Sequence, residues 1–109
     1  MSHTLRHTTH KLFKTMNYTE LINSRPEVLV EFFATWCPHC QRMMPVVEQV
    51  KELVGDRVSI VQLDIDQNQD AASEADVQSI PSFILYKDGK EVWRQSGEME
   101  GDYLLSKLS

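Results

Sequence analysis

The sequence predicts a single α/β domain, in which helices cover both faces of a central mixed β-sheet to give a three-layer α/β/α sandwich. Apolar runs of strand length alternate with helical patterns along most of the 109 residues, as in parallel strands joined by helical crossovers. Near the C-terminus, two strand-like segments flank Asp88 and Gly89, a dipeptide typical of tight hairpins. Two antiparallel strands are therefore expected there. A chain of this length fits one compact domain.

The first predicted elements follow a polar N-terminus. Residues 1–10 are expected to be a flexible tail and residues 11–109 the folded domain. The domain would begin with a short edge strand at residues 11–16. Asn17, followed three positions later by Glu20, has the pattern of a capping box and predicts the start of a short helix.

The next predicted strand and helix are the longest regular segments. Residues 28–34 form an almost continuous apolar run, typical of a strand buried on both faces, although Glu31 lies inside it. A helix is predicted over residues 38–54, and Gly55 follows it as a C-terminal stop signal. Apolar residues recur at helical spacing along this helix and are expected to face inward. These are Met43, Val46, Val47, Val50, Leu53 and Val54.

The C-terminal half supplies the remaining elements. Residues 58–65 are predicted to form a second buried strand, and residues 70–76 a short helix. The hairpin strands are expected at residues 82–86 and 91–95, and a final helix at residues 102–108. Three leucines of that final helix should face inward, namely Leu104, Leu105 and Leu108.

Composition and charge restrict the possible partners and compartments. The net charge of −5 argues against binding to nucleic acid. No apolar run is long enough to span a membrane, and residues 1–16 lack the apolar centre of a secretory signal. We therefore expect a cytoplasmic monomer. A periplasmic or other extracytoplasmic location stays open, because an upstream signal could have been removed.

The two cysteines, Cys37 and Cys40, are the strongest functional signal. A bond between them would close too small a loop to stabilise the fold appreciably. The spacing therefore indicates redox chemistry or half of a metal site. Zinc would need further ligands, but three of the four histidines lie in the tail and His39 is too close to the pair. We expect no metal and no cofactor.

The position of the pair at the start of a helix predicts a reactive thiol. Residues three apart on a helix are neighbours, so Cys37 and Cys40 can form a disulfide with little backbone movement. Pro38 suits the first helical position. The free N–H groups of His39 and Cys40, together with the helix dipole, should lower the pKa of Cys37. A protonated His39 would stabilise the thiolate further; the alternative is a histidine that simply faces solvent.

Further motifs accompany the cysteine pair, at residues 30–37, Pro45, 63–66, 79–82, 87–89 and Gly97. Together these motifs resemble the thioredoxin family over about residues 11–109. The resemblance implies the thioredoxin fold and a protein-disulfide reductase, in which Cys37 attacks the substrate and Cys40 resolves the mixed disulfide. It also implies protein disulfide substrates and an upstream reductase of the thioredoxin-reductase type or a membrane redox partner.

The resemblance further implies roles for residues around the pair. Trp36 would flank the active site, and Pro81 matches the family's cis-proline beside the disulfide. The backbone of Ile80 would pair with an extended substrate segment, and Gly97 would also belong to the substrate-binding surface. Glu31 occupies the position of an aspartate that helps to deprotonate the resolving cysteine. Burial in a strand should raise its pKa, unless its carboxyl escapes to solvent at the sheet edge.

Two departures from the family pattern bear on the redox properties. Thioredoxins typically carry Gly-Pro between the cysteines, whereas Pro38 and His39 resemble the periplasmic disulfide oxidases of bacteria. We therefore expect a disulfide more oxidising than that of a typical thioredoxin. Many thioredoxins have a lysine where this chain has Gln62, so Glu31 should be easier to protonate. Two other functions stay open: an exported thiol oxidase or isomerase, and a non-enzymatic thioredoxin-fold interaction module.

Overall fold

The computed structural model describes residues 16–108. The predicted tail and all but one residue of the predicted strand at 11–16 lie outside them, and Met16 is not in a strand. The elements are α1 (Tyr18–Ile22), β1 (Glu27–Phe33), α2 (Pro38–Val54), a 3₁₀ turn (Gly55–Arg57), β2 (Ser59–Asp64), α3 (Gln69–Glu74), β3 (Ser82–Lys87), β4 (Lys90–Ser96) and α4 (Gly101–Lys107).

The four described strands form one mixed sheet, as the sequence predicts, and their order is β2-β1-β3-β4. Strands β1 and β2 are parallel, while β1 with β3 and β3 with β4 are antiparallel. The central strand β1 brings Glu31 opposite Gln62 on β2 and opposite Phe83 on β3. Glu31 is therefore placed in the middle of the sheet and not at its edge.

Helices cover both faces of the sheet, which confirms the three-layer architecture. Alternate residues of a strand point to opposite faces. Leu29 of β1 belongs to a cluster that includes Val47 of α2 and Leu104 of α4. Val30 belongs to the opposite cluster, with Tyr18 of α1. The apolar character of β1 follows from this double burial, because neither face of the strand meets water.

Most local predictions agree with the observed elements. The Asn17–Glu20 capping box is present, with the Asn17 side chain accepting from the Glu20 N–H at 2.8 Å. The hairpin between β3 and β4 contains Asp88 and Gly89, with φ of 51° and 80°. These positive angles explain why this dipeptide is required.

The inward orientation predicted for Leu53 is wrong. Its side chain is 57% exposed, whereas Val50 and Val54 on the same helix are each 2% exposed. Each helical residue turns by about 100°, so Leu53 lies to one side of the buried stripe that Val50 and Val54 share. Leu105 of α4 is only partly buried, while Leu104 and Leu108 are buried as expected.

Candidate active site

The cysteine pair lies where the chain leaves β1 and begins α2. The Cys37 N–H donates to the Ala34 carbonyl at 3.2 Å, which turns the chain after the strand. Cys37 is the N-cap of α2, and its Sγ accepts from the Cys40 N–H at 3.4 Å. Pro38 occupies the first turn, where a backbone N–H is not needed. The sequence therefore places the first sulfur at the helix N-terminus.

The environment of Cys37 favours the thiolate. The side chain is 5% exposed, and this burial by itself raises the pKa. Hydrogen bonds to the sulfur from the Cys40 thiol and from the N–H groups of Cys40 and His39 act in the opposite direction, as does the charge of Arg42. The net effect is a pKa below the ordinary thiol value, which confirms the prediction from the sequence.

Cys40 has the opposite character. Burial raises its pKa to about 12, and the interactions with Cys37 and the charge of Glu31 act in the same direction. A backbone hydrogen bond from Ala34 opposes this effect only in part. The two thiols are free in the structure and differ in acidity: the thiolate form is favoured at Cys37 and disfavoured at Cys40.

Glu31 is a buried carboxyl on the sheet face that α2 covers. It is 2% exposed, so the alternative that its carboxyl escapes to solvent is wrong. Burial raises its pKa, and the hydrogen bond from Gln62 and the charge of Lys51 lower it in part. Its charge influences Cys40. Among the described contacts, Glu31 accepts its side-chain hydrogen bond from Gln62 and makes no direct hydrogen bond with Cys40.

A cation does act on Glu31, although position 62 is not a lysine. Lys51 of α2 donates to the Gln62 side-chain oxygen at 2.8 Å, and the Gln62 nitrogen donates to Glu31 at 2.9 Å. The expectation that Gln62 leaves this carboxyl without a cation is therefore wrong. The long Lys51 side chain reaches Gln62 from the neighbouring helix, and its charge acts on Glu31 from there. The sequence of the strand alone does not reveal this contact.

His39, the second residue between the cysteines, belongs to a charged cluster that could not be recognised in the sequence. His39 Nδ1 lies 2.6 Å from Glu98 Oε2 and 2.9 Å from Arg42 Nη2, and Arg42 also donates to both Glu98 oxygens. Arg42 and then His39 lower the pKa of Glu98 to about 2. Arg42 follows His39 by three positions, which is a readable helical signal. Glu98 is 59 positions away and has no such signal.

The residues expected to contact substrate are Trp36, Ile80, Pro81 and Gly97. The Ile80–Pro81 peptide bond is cis, as expected, and Ile80 packs against the cluster that contains both cysteines. The Gly97 N–H donates to the Pro81 carbonyl at 2.8 Å. Gly97 has φ of 94°, which other residues rarely adopt. Trp36 is 63% exposed beside Cys37, and its ring N–H donates to Asp66 at 3.0 Å.

Residues 16–108 contain neither a candidate metal site nor a helix suited to span a membrane. Within that range, no three or more His, Cys, Asp or Glu side chains form a group that could hold a metal ion. None of the helices described there is both long and apolar enough to cross a membrane. The cysteine pair is thus the candidate reactive centre.

The fold, together with two thiols of different acidity one helical turn apart, is typical of the thioredoxin-fold thiol–disulfide oxidoreductases. The sequence profile of the thioredoxin family matches residues 9–109. The chain belongs to the thioredoxin family.

Similar proteins include a thioredoxin-like protein of Synechocystis sp., 36% identical over 84% of this chain and 89% of that protein. Rice chloroplastic thioredoxin Y is 33% identical over 84% of this chain. The match spans only 55% of the rice protein's length. Among solved structures, a mutant thioredoxin from Halobacterium salinarum is 31% identical, with a TM-score of 0.74 over 83% of this chain and 78% of that one.

Proposed function

We propose that this protein reduces disulfide bonds in other proteins through reversible exchange between the dithiol and disulfide forms of Cys37 and Cys40. The observation that carries the proposal is the position of the pair: Cys37 caps the N-terminus of α2, and its Sγ accepts from the N–H of Cys40, one turn along the helix. The lowered pKa of Cys37 and the raised pKa of Cys40 agree with this, because exchange needs one thiolate to attack and a second thiol to act afterwards. The reduced protein supplies two electrons and two protons, and the substrate disulfide becomes two thiols.

In the first step, the Cys37 thiolate attacks one sulfur of the substrate disulfide. The substrate S–S bond breaks, a mixed disulfide forms, and the first substrate sulfur leaves as a thiolate that takes up a proton. The position of Cys37 at the N-terminus of α2 supports this role, since the backbone N–H groups there stabilise the attacking thiolate.

In the second step, Cys40 resolves the mixed disulfide. Glu31 accepts the Cys40 proton through a water, and the resulting thiolate attacks Cys37 Sγ. The bond between Cys37 and the substrate breaks, an intramolecular disulfide forms, and the second substrate sulfur leaves and is protonated. The raised pKa of Cys40 explains why a base is needed, and the burial of Glu31 makes its carboxyl a better proton acceptor once ionised.

Substrate binding is assigned to the surface beside the pair. An extended substrate segment would form backbone hydrogen bonds at Ile80, next to Pro81, and would contact Trp36 and Gly97. The exposed ring of Trp36 and the packing of Ile80 against the cysteines support this assignment.

The proposal also includes the source of the electrons and the compartment in which the protein acts. We assign regeneration of the dithiol to an upstream reductase of the thioredoxin-reductase type, and the activity to the cytoplasm. Both cysteines belong to the reactive site, which leaves none for a structural disulfide of the kind common in exported proteins.

The activity is tested by insulin reduction. The wild-type protein, kept reduced by dithiothreitol, should accelerate precipitation of the insulin B chain well above the rate with dithiothreitol alone. A non-enzymatic interaction module with this fold would give no acceleration, and that result would remove the proposed activity.

The disulfide should be more oxidising than that of a typical thioredoxin. A lowered pKa of Cys37 stabilises the reduced form, and Pro38 and His39 occupy the positions that tune it. Equilibration with glutathione buffers should give a reduction potential less negative than about −270 mV, with the His39→Ala variant more negative than wild type. A wild-type value at or below about −270 mV would contradict this proposal. A value near about −120 mV would favour the exported oxidase instead.

A further inference from the structure

Two polar side chains, Lys51 and Gln62, connect the surface of α2 with the buried carboxyl of Glu31. Lys51 Nζ lies 2.8 Å from Gln62 Oε1, and Gln62 Nε2 lies 2.9 Å from Glu31 Oε1. The Lys51 side chain is 34% exposed, whereas Glu31 is 2% exposed. The orientation of the central amide therefore links a cation at the surface to an acid in the core.

The lysine determines which end of the Gln62 amide faces Glu31. An ammonium group has only hydrogen-bond donors, so the amide oxygen must face Lys51. The amide NH₂ group then faces Glu31 and can only donate to it. A donor in this position stabilises the ionised carboxylate, and it cannot accept a hydrogen bond from the O–H of the neutral acid.

Without the lysine, both orientations of the amide would become available. The oxygen and nitrogen of Gln62 are nearly equal in size, so a rotation of about 180° changes the hydrogen bonding and hardly changes the packing. In the rotated form, the amide oxygen would accept a hydrogen bond from protonated Glu31. Burial already favours that protonated form, so the rotation would reinforce it.

Among the described residues, the neighbours of Glu31 on β3 and α2 do not supply this orienting contact. Phe83, directly opposite on β3, is uncharged. Cys40 of α2 is a titratable neighbour on which Glu31 acts, and it carries no positive charge. Glu48 of α2 lies 3.7 Å from Lys51 Nζ with a side chain that is 67% exposed, so it offsets part of the lysine charge at the surface. Lys51 is thus the contact that orients the amide.

We propose that Lys51 is a positioning residue for the resolving step, because it fixes the Gln62 amide as a donor to Glu31 and so holds that carboxyl in its proton-accepting form. The inference rests on the proposed role of Glu31 and adds the contact that controls its protonation. Lys51, which would control the protonation of Glu31, belongs to α2, the same helix that Cys37 caps and that contains Cys40.

The test compares Lys51→Met with wild type by two measurements. The carboxyl titration of Glu31 in the reduced protein is followed by ¹³C NMR, and the collapse of a preformed mixed disulfide is followed against pH in a single turnover. Both midpoints should shift upward by about 1 pH unit. Lys51→Arg should stay within about 0.3 pH unit of wild type, since it keeps the charge and the donors. Lys90→Met, an exposed lysine of β4, should leave both midpoints unchanged.

The same substitution in a Gln62→Met background tests whether the amide carries the effect. Most of the shift caused by Lys51→Met should disappear there, because methionine has no amide that could accept from Lys51 and donate to Glu31. An unchanged Glu31 midpoint in Lys51→Met, or the same shift in both backgrounds, would overturn the inference.

The Glu31→Gln variant separates this inference from the proposed function. If Glu31→Gln leaves the collapse rate unchanged while Lys51→Met still shifts the Glu31 carboxyl titration, the role of Glu31 fails and the control by Lys51 on its protonation stands. If Glu31→Gln slows collapse while Lys51→Met leaves the Glu31 titration unchanged, the role of Glu31 is supported and the control by Lys51 is contradicted.

Discussion

Replacing Cys37 by serine should abolish insulin reduction, lowering the rate by roughly 10³-fold or more to that of dithiothreitol alone. A serine hydroxyl is almost entirely un-ionised at neutral pH, and the N–H groups at the start of α2 cannot compensate for that difference. Cys40 cannot take over the attack, because its burial, the largest cause of its raised pKa, does not depend on Cys37. The rate of insulin B-chain precipitation measures the loss.

The matched control for this variant is Cys40→Ser. It retains the attacking thiolate, so it should form a mixed disulfide with the substrate and then stop before release. Mass spectrometry should find this covalent adduct in Cys40→Ser and not in Cys37→Ser. Turnover by Cys37→Ser equal to that of wild type would remove the catalytic role of this sulfur.

Replacing Glu31 by glutamine should slow the resolving step by about 10- to 100-fold at neutral pH. Glutamine nearly preserves the shape of the side chain but cannot accept the Cys40 proton, and water is a poorer base for a thiol in this environment. Collapse of a preformed mixed disulfide, followed from pH 6 to 8, measures the step. The pH dependence contributed by Glu31 should also disappear, since its raised pKa no longer governs the rate.

The attack step provides the internal control for Glu31→Gln. Alkylation of Cys37 should change little, because the contacts that lower its pKa come chiefly from the start of α2. Circular dichroism and thermal unfolding establish that the variant remains folded. An unchanged collapse rate across the whole pH range would remove Glu31 from the mechanism.

The part of the site that lies along one stretch of chain could be predicted from the sequence. The N-terminus of α2 is specified locally, because Cys37 caps it and Pro38 occupies its first turn. The thiol environment follows from that placement, so the lowered pKa of Cys37 could also be predicted. Glu31 could be recognised as buried because the residues around it in β1 are apolar.

The contacts between distant parts of the chain could not be predicted. The sequence shows a lysine at position 51 and a glutamine at position 62, and the contact between them depends on how α2 packs across β2. Glu98 likewise meets His39 only because the segment after β4 passes the start of α2. Such pairs require the tertiary arrangement, since neither partner carries a local signal for the other.

The error at Leu53 has a related cause. Apolar spacing identifies a helix but defines its buried stripe only to within one position on either side. The actual stripe depends on the sheet beneath α2, where Val50 and Val54 contact the core and Leu53 does not. A single-sequence pattern therefore gives the helix more reliably than the orientation of its marginal residues.

The rate at which iodoacetamide alkylates Cys37, measured from pH 4 to 9 with peptide mapping, tests the whole account most directly. It should follow a midpoint clearly below the ordinary thiol value of about 8.5, and at pH 6 it should exceed the rate of a free cysteine peptide. Cys40 should remain almost unmodified throughout. Alkylation of Cys37 with an ordinary midpoint and no advantage over the peptide would contradict the stabilised thiolate on which the proposed exchange depends.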